Sequence, residues 1–445
     1  MKINEVQSVI ERKVQGEGLT RGELIFIVEG YHKHRVSDEL MAEFLTAVKS
    51  KGLDLEETVW LTEAIAGTGD QIEWGATSVA GRVLVDEPST GGVGNKSPLI
   101  VPPILAAAGL VVPKMSSRGS VAGTIDILES IGYVADLPKS EFIRIVESLG
   151  LSNICQTDEL APVDARLMAL RRKTGTMKQP SLVVSSILSK KLATGCDHLV
   201  IDVKAGEDSK FGDYNATYEG AKLFVEAGKL LGLKVIAVVT DNDNPQGTYI
   251  GRRLSLVEVL EVLKGRGPAD QRETCYFLAA QSFLLAGIAE TPEDANRKVI
   301  EAVDSEAAFG KFMEQLMAHQ ADMDLIRHPV LLQNSNYRVP LISDQTGYVA
   351  RISARQVDEC TKFLLRNTQQ DGASSSGIVL RRQVGDRVEA GEVLAVIHAE
   401  DHRILEEAKR LLHDAFVITE TRAEPKPQIL AVASEQDGLR VFWKP

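Results

Sequence analysis

Apolar residues in the first 66 positions recur near a helical period. Val6, Ile10 and Val14 make one stripe, Ile25, Ile27 and Val28 another, and Leu40, Met41, Phe44, Leu45 and Val48 a third. Ser37, just ahead of Asp38-Glu39-Leu40, reads as a helix N-cap. Gly67, Gly69 and Gly75 then mark a connection. From Arg82 the period changes. RVLVD (82–86) and VVPKMSS (111–117) read as short strands, HLVIDV (198–203) and KVIAVVTD (234–241) as longer ones. Between them LIVPPILAAAG (99–109), GTIDILESIG (123–132) and YEGAKLFVEAGKLLG (218–232) read as helices, the first bent or restarted by Pro102 and Pro103. This alternation predicts βαβ units and a sheet that is at least partly parallel.

Residues 163–195 are helical again and are expected to fold back on the N-terminal helices. The expected fold class is therefore α/β, in three parts. A small discontinuous helical domain takes 1–66 and 163–195. A larger α/β domain with a mixed, partly parallel sheet takes 70–160 and 197–335. A β-rich C-terminal part takes 336–445. Within the last, GDRVEAGEVLAVI has the look of a β-hammerhead in lipoyl and biotinyl domains. The lysine tripeptide that carries those groups is absent, so the unit is read as structural.

Composition narrows the function. The chain has 445 residues, 44% hydrophobic and 25% charged, which suits a soluble globular protein. A formal charge of -12 argues against a broad nucleic-acid or anionic-membrane surface, because phosphate backbones are held by an excess of Lys and Arg. Cys155, Cys196, Cys275 and Cys360 are scattered with no C-x-x-C pair, so neither a disulfide framework nor a metal site is expected. The charged N-terminus lacks a signal-peptide core and no run is long enough to span a bilayer; a cytoplasmic protein is expected.

Three constellations carry candidate chemistry. Ser89-Thr90-Gly91-Gly92-Val93-Gly94-Asn95-Lys96-Ser97 lies between a strand and a helix. Glycines there let backbone N–H groups approach an anion, and the helix N-terminus, hydroxyls and Lys96 complete a cradle; the bland reading is a tight turn. Lys114, Ser116 and, opening the next helix, Thr124 are donors suited to orthophosphate at a neighbouring strand end. Arg171, Ser186 and Lys190 suit a carbonyl-rich ring, the last two being four apart on one helix face. Spacing alone favours an ordinary surface charge pair for that third group.

The chain resembles the thymidine and pyrimidine-nucleoside phosphorylase family. STGGVG, KMSSRG, AGTIDILESI, Gln156-Thr157 with Leu160-Ala161-Pro162, SILSKKLATG, IDVKAG and TDNDNPQG stand in the family's order. The resemblance implies a helical domain, an α/β domain closing over a cleft, a β-rich C-terminal part and a homodimer formed through the helical domain. It implies phosphorolysis with inorganic phosphate as co-substrate and no cofactor. It places Ser89, Ser116 and Thr124 against phosphate with Lys114 at a phosphate-contacting position, to which the cradle reading adds Gly91, Lys96 and Ser97; and it places Arg171, Ser186 and Lys190 around the base, with Met168 at a position usually aromatic and Phe211 as an aromatic over the base.

The departures are equally informative. The family's Lys-His before STGG is Glu87-Pro88 here, and the RGLGHTGGT segment is shortened to Arg118–Thr124 without its His. Features of that region look more like the AMP phosphorylase branch. An ionised Glu87 would oppose a phosphate by about 4 kcal/mol per charge at 4 Å for an effective dielectric near 20. Phosphorolysis would then use Arg171 and Lys190 against the charge on the departing base. The alternatives are a hydrolase with Glu87 as general base on water, an enzyme for a modified nucleoside, or a catalytically silent pyrimidine binder; Glu87 paired with Lys96 or Lys114 would have no chemical role.

Overall fold

The protein is described by a computed structural model covering residues 3–119, 122–207, 209–368 and 374–444. Ser120 and Val121 of the shortened segment, and Asp208 after IDVKAG, lie outside the described residues. Four helices come first: α1 (Ile3–Gln15), α2 (Arg21–His32), α3 (Asp38–Lys51) and α4 (Leu55–Ala66). The Ser37 hydroxyl accepts from Leu40 N at 3.3 Å, and Thr20 and Asp54 form capping boxes on α2 and α4. Then follow β1 (Val85–Asp86), α5 (Ser97–Ala107), β2 (Val112–Ser116), α6 (Thr124–Glu129), α7 (Lys139–Leu149) and β3 (Leu151–Cys155). Helices α8 (Pro162–Thr174) and α9 (Pro180–Ala193) return to the first four, adding Val163, Leu167, Leu170 and Leu182 to the core of Leu24, Ile27, Phe44 and Val48.

The chain re-enters the sheet with β4 (His198–Ala205), α10 (Tyr214–Leu230) and β5 (Lys234–Asp241), then β6 (Tyr249–Gly251). A helical layer follows: α11 (Arg252–Val262), α12 (Ala269–Leu285), α13 (Pro292–Asp304), α14 (Ala307–Ala318) and α15 (Met323–Arg327). The C-terminal part holds β7 (Tyr337–Ile342), β8 (Gly347–Ile352), α16 (Ala354–Arg366), β9 (Gly377–Leu380), β10 (Arg387–Val388), β11 (Val393–Ala399), α17 (Leu405–His413) and β12 (Phe416–Thr419). The last hairpin, β13 (Ile429–Ser434) and β14 (Gly438–Val441), leaves that part. Strand β13 pairs antiparallel with β5 and closes the edge of the main sheet.

Strands β1, β4 and β5 are parallel, as are β2 and β3, and a Leu84–Val111 bridge joins the two groups. The parallel order is β3-β2-β1-β4-β5. It reverses between β1 and β4, and at such a reversal the carboxyl ends of the strands leave a crevice for a ligand. The strand read over 82–86 shrinks to Val85–Asp86, because Arg82 is still in a turn, its N–H on Val79 O. Pro102 and Pro103 do not interrupt α5.

Alternation along β1 sorts its side chains. Val85 enters the core shared with α5 and α12, whereas Leu84 enters the core shared with α9 and α10. Asp86 follows Leu84, meeting Lys191 of α9, and Glu87 follows Val85, meeting Ser97 of α5.

Candidate active site

Beyond β1 the chain stays in register with β4. Ser89 bridges Asp202, Thr90 N donates to Asp202 O at 3.0 Å, and Asp202 N donates to Pro88 O at 2.9 Å. The glycine-rich turn therefore sits directly at the reversal of strand order. Gly94, at φ +73°, is pressed so close to the loop after β5 that a Cβ there would lie 2.2 Å from Gln246 O. A Cβ on Gly92, at φ +107°, would lie 2.8 Å from Asn242 Oδ1. Ser89 Oγ accepts from Gly91 N at 3.2 Å and from Asn95 Nδ2 at 2.9 Å, and α5 starts at Ser97.

A buried charge network supports the turn. Asp86 accepts from Lys114 on one oxygen, at 2.7 Å, and from Lys191 on the other. Burial opposes its charge, yet the two ammonium groups outweigh this and hold the carboxyl below its usual range. Lys191 also donates to Met115 O, and Lys114 to Glu87 O. Lys204 pairs with Asp202 at 2.7 Å.

Two residues expected to face phosphate lie under the turn instead. Lys96 is fully buried, its ammonium 3.0 Å from Glu258 Oε1, 2.7 Å from Gly94 O and 3.4 Å from Gln246 O. A buried ammonium needs such a carboxylate, and this one holds Lys96 beneath the turn. The Ser97 hydroxyl is buried between Glu87 Oε1 at 2.9 Å, Asp202 Oδ2 at 3.0 Å and Asn95 Oδ1 at 2.9 Å. Ser89, Gly91, Ser116 and Thr124 keep partial exposure at the carboxyl edge of the sheet, with buried Lys114 behind them.

Glu87 departs most from expectation. It is fully buried, faces α5, and its Oε2 has no hydrogen-bond partner, Lys114 Nζ standing 3.8 Å away. Burial, aided by Asp202, pushes its carboxyl up to about 8 against the pull of Lys114. Stereochemistry agrees: the Ser97 hydroxyl has one proton and three acceptors around it, so a proton on Glu87 removes one conflict. Burial thus favours a proton on Glu87, which is turned toward α5 beneath the turn, in contrast to the general base or charged obstacle that the sequence suggested.

The opposite wall is built by α8 and α9. Asp164 is fully enclosed and accepts from Lys190 Nζ at 2.7 Å, Ser186 Oγ at 2.6 Å and Gln156 Nε2 at 2.9 Å. Burial raises its carboxyl, but Lys190 and these hydrogen bonds outweigh that and keep it ionised. Arg171 donates to Leu182 O at 3.0 Å and Met177 O at 3.3 Å; burial lowers it to about 10, and its Nε is without a partner. Met168 Sδ lies 3.7 Å from Arg171 Nη1 and 3.6 Å from Ser186 Oγ. Arg171, Ser186, Lys190 and Met168 thus come together, as expected. Asp164, their hub, was missed, although 164, 168 and 171 have the i, i+4, i+7 spacing of one helix face.

Phe211 is not in this group. It is buried against Phe224, with ring centroids 6.1 Å apart, and against Gly220, where a Cβ would come within 2.4 Å of its ring. Burying an aromatic ring in a core outweighs leaving it in an open cleft.

The two walls are tied together. Gln156, held on Asp164, also donates to Ser117 Oγ at 2.9 Å, and Arg172 donates to Arg118 O at 2.8 Å. Consecutive residues of α9 serve opposite walls: Lys190 joins Asp164, and Lys191 joins Asp86.

Known proteins with this organisation are recognisable. The chain matches the glycosyl transferase family helical bundle domain over residues 7–69 and its a/b domain over 81–309. It matches the pyrimidine nucleoside phosphorylase C-terminal domain over 366–419. A pyrimidine-nucleoside phosphorylase of Geobacillus stearothermophilus is 35% identical over 419 residues, 93% of this chain and 96% of that one. One from Staphylococcus aureus is 35% identical over 413 residues, 91% and 94% of the two chains. Anthranilate phosphoribosyltransferase from Thermus thermophilus superposes with a TM-score of 0.58 at 18% identity, covering 70% of this chain and 99% of its own, a likeness of fold alone. By its sequence over nearly its whole length, and by the domains it is built from, the chain belongs to the pyrimidine-nucleoside phosphorylase family.

Proposed function

We propose that the cleft cleaves the N-glycosidic bond of a pyrimidine nucleoside with inorganic phosphate, releasing the base and a sugar 1-phosphate. A phosphate oxygen bonds to C1′ as the C1′–N bond breaks. The bonding pair leaves on the base, which then takes one proton from solvent. Arg171 and Lys190 stabilise the negative charge that grows on the base carbonyls, where fixed charges act most strongly on a transition state. Ser186 and Met168 complete that pocket, and Asp164 positions Lys190 and Ser186. Phosphate is held by Ser89, the Gly91 backbone, Ser116 and Thr124, with Lys114 behind them. The reaction uses phosphate as co-substrate and needs no cofactor.

One observation carries this reading: adjacent lysines at the end of α9 commit to two half-sites, Lys190 to the cluster around Asp164 and Lys191 to the carboxylate under the glycine-rich turn. A group between those walls is within reach of both. The departing base takes its own electron pair, so a histidine in place of Pro88 is not required. Hydrolysis through Glu87 lacks support because that carboxyl is fully buried and held by Ser97 rather than open to a water in the cleft.

The test is product analysis with uridine, thymidine, cytidine and their monophosphates, with and without phosphate. Phosphate-dependent sugar 1-phosphate is expected. Free sugar made without phosphate would instead mean hydrolysis, and binding without turnover would mean a silent binder. We further place the protein in the cytoplasm, and its homodimer contact on the helical domain. Sedimentation equilibrium giving a monomer at micromolar concentration would remove the dimer.

A further inference from the structure

Ser89 opens the glycine-rich turn, half-buried at the reversal of strand order, and its hydroxyl is served unevenly. The acceptor side is filled: Oγ accepts from Asn95 Nδ2 at 2.9 Å and from Gly91 N at 3.2 Å, one donor for each lone pair. The proton is poorly provided for. Its acceptors within the protein are Gly91 O at 3.2 Å and Asp202 Oδ2 at 3.5 Å, against about 2.7–2.8 Å for an ordinary hydroxyl bond. Asp202 Oδ2 is already engaged by Lys204 at 2.7 Å and by Ser97 Oγ at 3.0 Å. A half-exposed hydroxyl in this state has one thing left to offer, its proton, and a ligand that meets it must bring an acceptor. The oxygens of an oxyanion are such acceptors.

Asn95 sets this polarity. A carboxamide can be turned either way round, and here its neighbours decide. Its Oδ1 accepts from Ser97 N at 3.1 Å, a group that can only donate, so Nδ2 is the end that faces Ser89. Oδ1 also accepts from Ser97 Oγ at 2.9 Å. Ser97 is fully buried and lies against Glu87 and Asp202, so the carboxamide is anchored on an enclosed residue. A carboxylate at position 95 would serve Ser97 N equally well. Towards Ser89, however, it would present a second oxygen, which takes the hydroxyl proton and leaves Ser89 an acceptor.

We propose that Asn95 is a positioning residue for the anion: by donating to Ser89 it fills the acceptor side of that hydroxyl and turns the proton towards the phosphate that attacks C1′. This rests on the phosphorolytic reading of the cleft and deepens it, because it makes Ser89 a one-way donor and names the side chain that makes it so. Asn95 acts through Ser89, so its loss bears on the anion and not on the base.

The experiment measures sulfate and phosphate binding by calorimetry, together with steady-state kinetics, for wild type, Ser89→Ala, Asn95→Ala, Asn95→Asp and the two double variants. Sulfate is included because it does not titrate near neutral pH. Ser89→Ala is expected to weaken both anions by roughly tenfold, the worth of one hydrogen bond to a charged group. Asn95→Ala should weaken them by roughly three- to tenfold and raise KM for phosphate in step, leaving KM for the nucleoside unchanged. In the Ser89→Ala background it should change anion affinity by less than about twofold, because the hydroxyl it orients is gone. A merely structural role would give the same loss in both backgrounds, and that equality overturns the proposal. Asn95→Asp keeps an acceptor for Ser97 N and decides the matter where Asn95→Ala does not fold. It should weaken sulfate by more than about tenfold in the wild-type background and clearly less in the Ser89→Ala background. Sulfate affinity of Asn95→Asp within about twofold of wild type would overturn the proposal, as would equal losses in the two backgrounds, normal anion binding by Ser89→Ala or a wild type that binds neither anion. Anion binding with this coupling in a protein without phosphorolysis would sustain it and sink the reaction instead.

Discussion

At the scale of single residues, the site depends on how each buried charge is matched. Arg171 uses one carbonyl of α9, that of Leu182, and one of the α8–α9 connection, that of Met177, and keeps Nε unpaired, while its positive charge is drawn towards Asp164. Arg171→Ala should cost kcat/KM for the nucleoside about 10- to 100-fold, the value of one or two charge-assisted hydrogen bonds, with little change in phosphate affinity; unchanged nucleoside binding by calorimetry would refute the base pocket. Glu87 gives a pH prediction. Its folded carboxyl titrates at about 8, above the unfolded value, so the native state holds the extra proton between the two. Its contribution to stability is full below the unfolded value and is lost as pH rises through the folded one. Glu87→Gln cannot lose a proton. Its melting temperature should match wild type near pH 5 and exceed it above pH 8, and sulfate affinity should fall in wild type but not in the variant over the same rise. Parallel curves for both proteins would show that Glu87 does not titrate there.

At the scale of elements, the glycine-rich turn is set by what lies beneath it. The strand-turn-helix arrangement of 82–109 was readable from the switch in apolar period and the three glycines. That Gly94 rests on Gln246 O was not, because the contact joins segments about 150 residues apart. Gly94→Ala combines a left-handed φ with a Cβ 2.2 Å from that oxygen. It should lower stability by about 1–3 kcal/mol by chemical denaturation and weaken sulfate binding as the turn lifts. The end of α9 is a second such element. Lys191→Met would leave Asp86 with Lys114 alone, and breaking a buried pair costs about 3–5 kcal/mol. Loss of both anion and nucleoside affinity is expected from it, since α9 carries Lys190 as well. A variant with normal stability would mean that the pair contributes nothing to holding the walls together.

At the scale of the molecule, the C-terminal part does more than cover a sheet. Arg351 and Ser353 hold Glu207 just after β4, and Ala354 N donates to Asp243 O at 3.0 Å. The final hairpin completes the main sheet, with Leu430 and Ala431 fully buried on β13. A chain stopped before Ile429 exposes the edge of β5 and gives up that burial, about 1.5–3 kcal/mol for Leu430 alone. It should melt lower and aggregate; equal thermal stability by calorimetry would contradict this. Among the described residues no helix is long and apolar enough to cross a membrane.

Local pattern determined a good deal by itself. Apolar spacing of 3.6 against 2 separated helices from strands, and Ser37 marked a helix start; the grouping of Arg171, Ser186, Lys190 and Met168 came from the family resemblance, since spacing alone favoured a surface charge pair. Direction inside the core was decided only by the tertiary structure. Lys96 and Ser97 look like phosphate ligands in a linear reading, but burial under the turn pairs them with Glu258 and Asp202, residues distant in the chain. Phe211 reads as an aromatic over the base and is core. Glu87 carries a negative charge in any count of the sequence, and desolvation among Asp202, Ser97 and Lys114 removes it. Solvation and partnering are properties of a folded interior, so neither the charge of a buried acid nor the target of a lysine exists until distant segments have met.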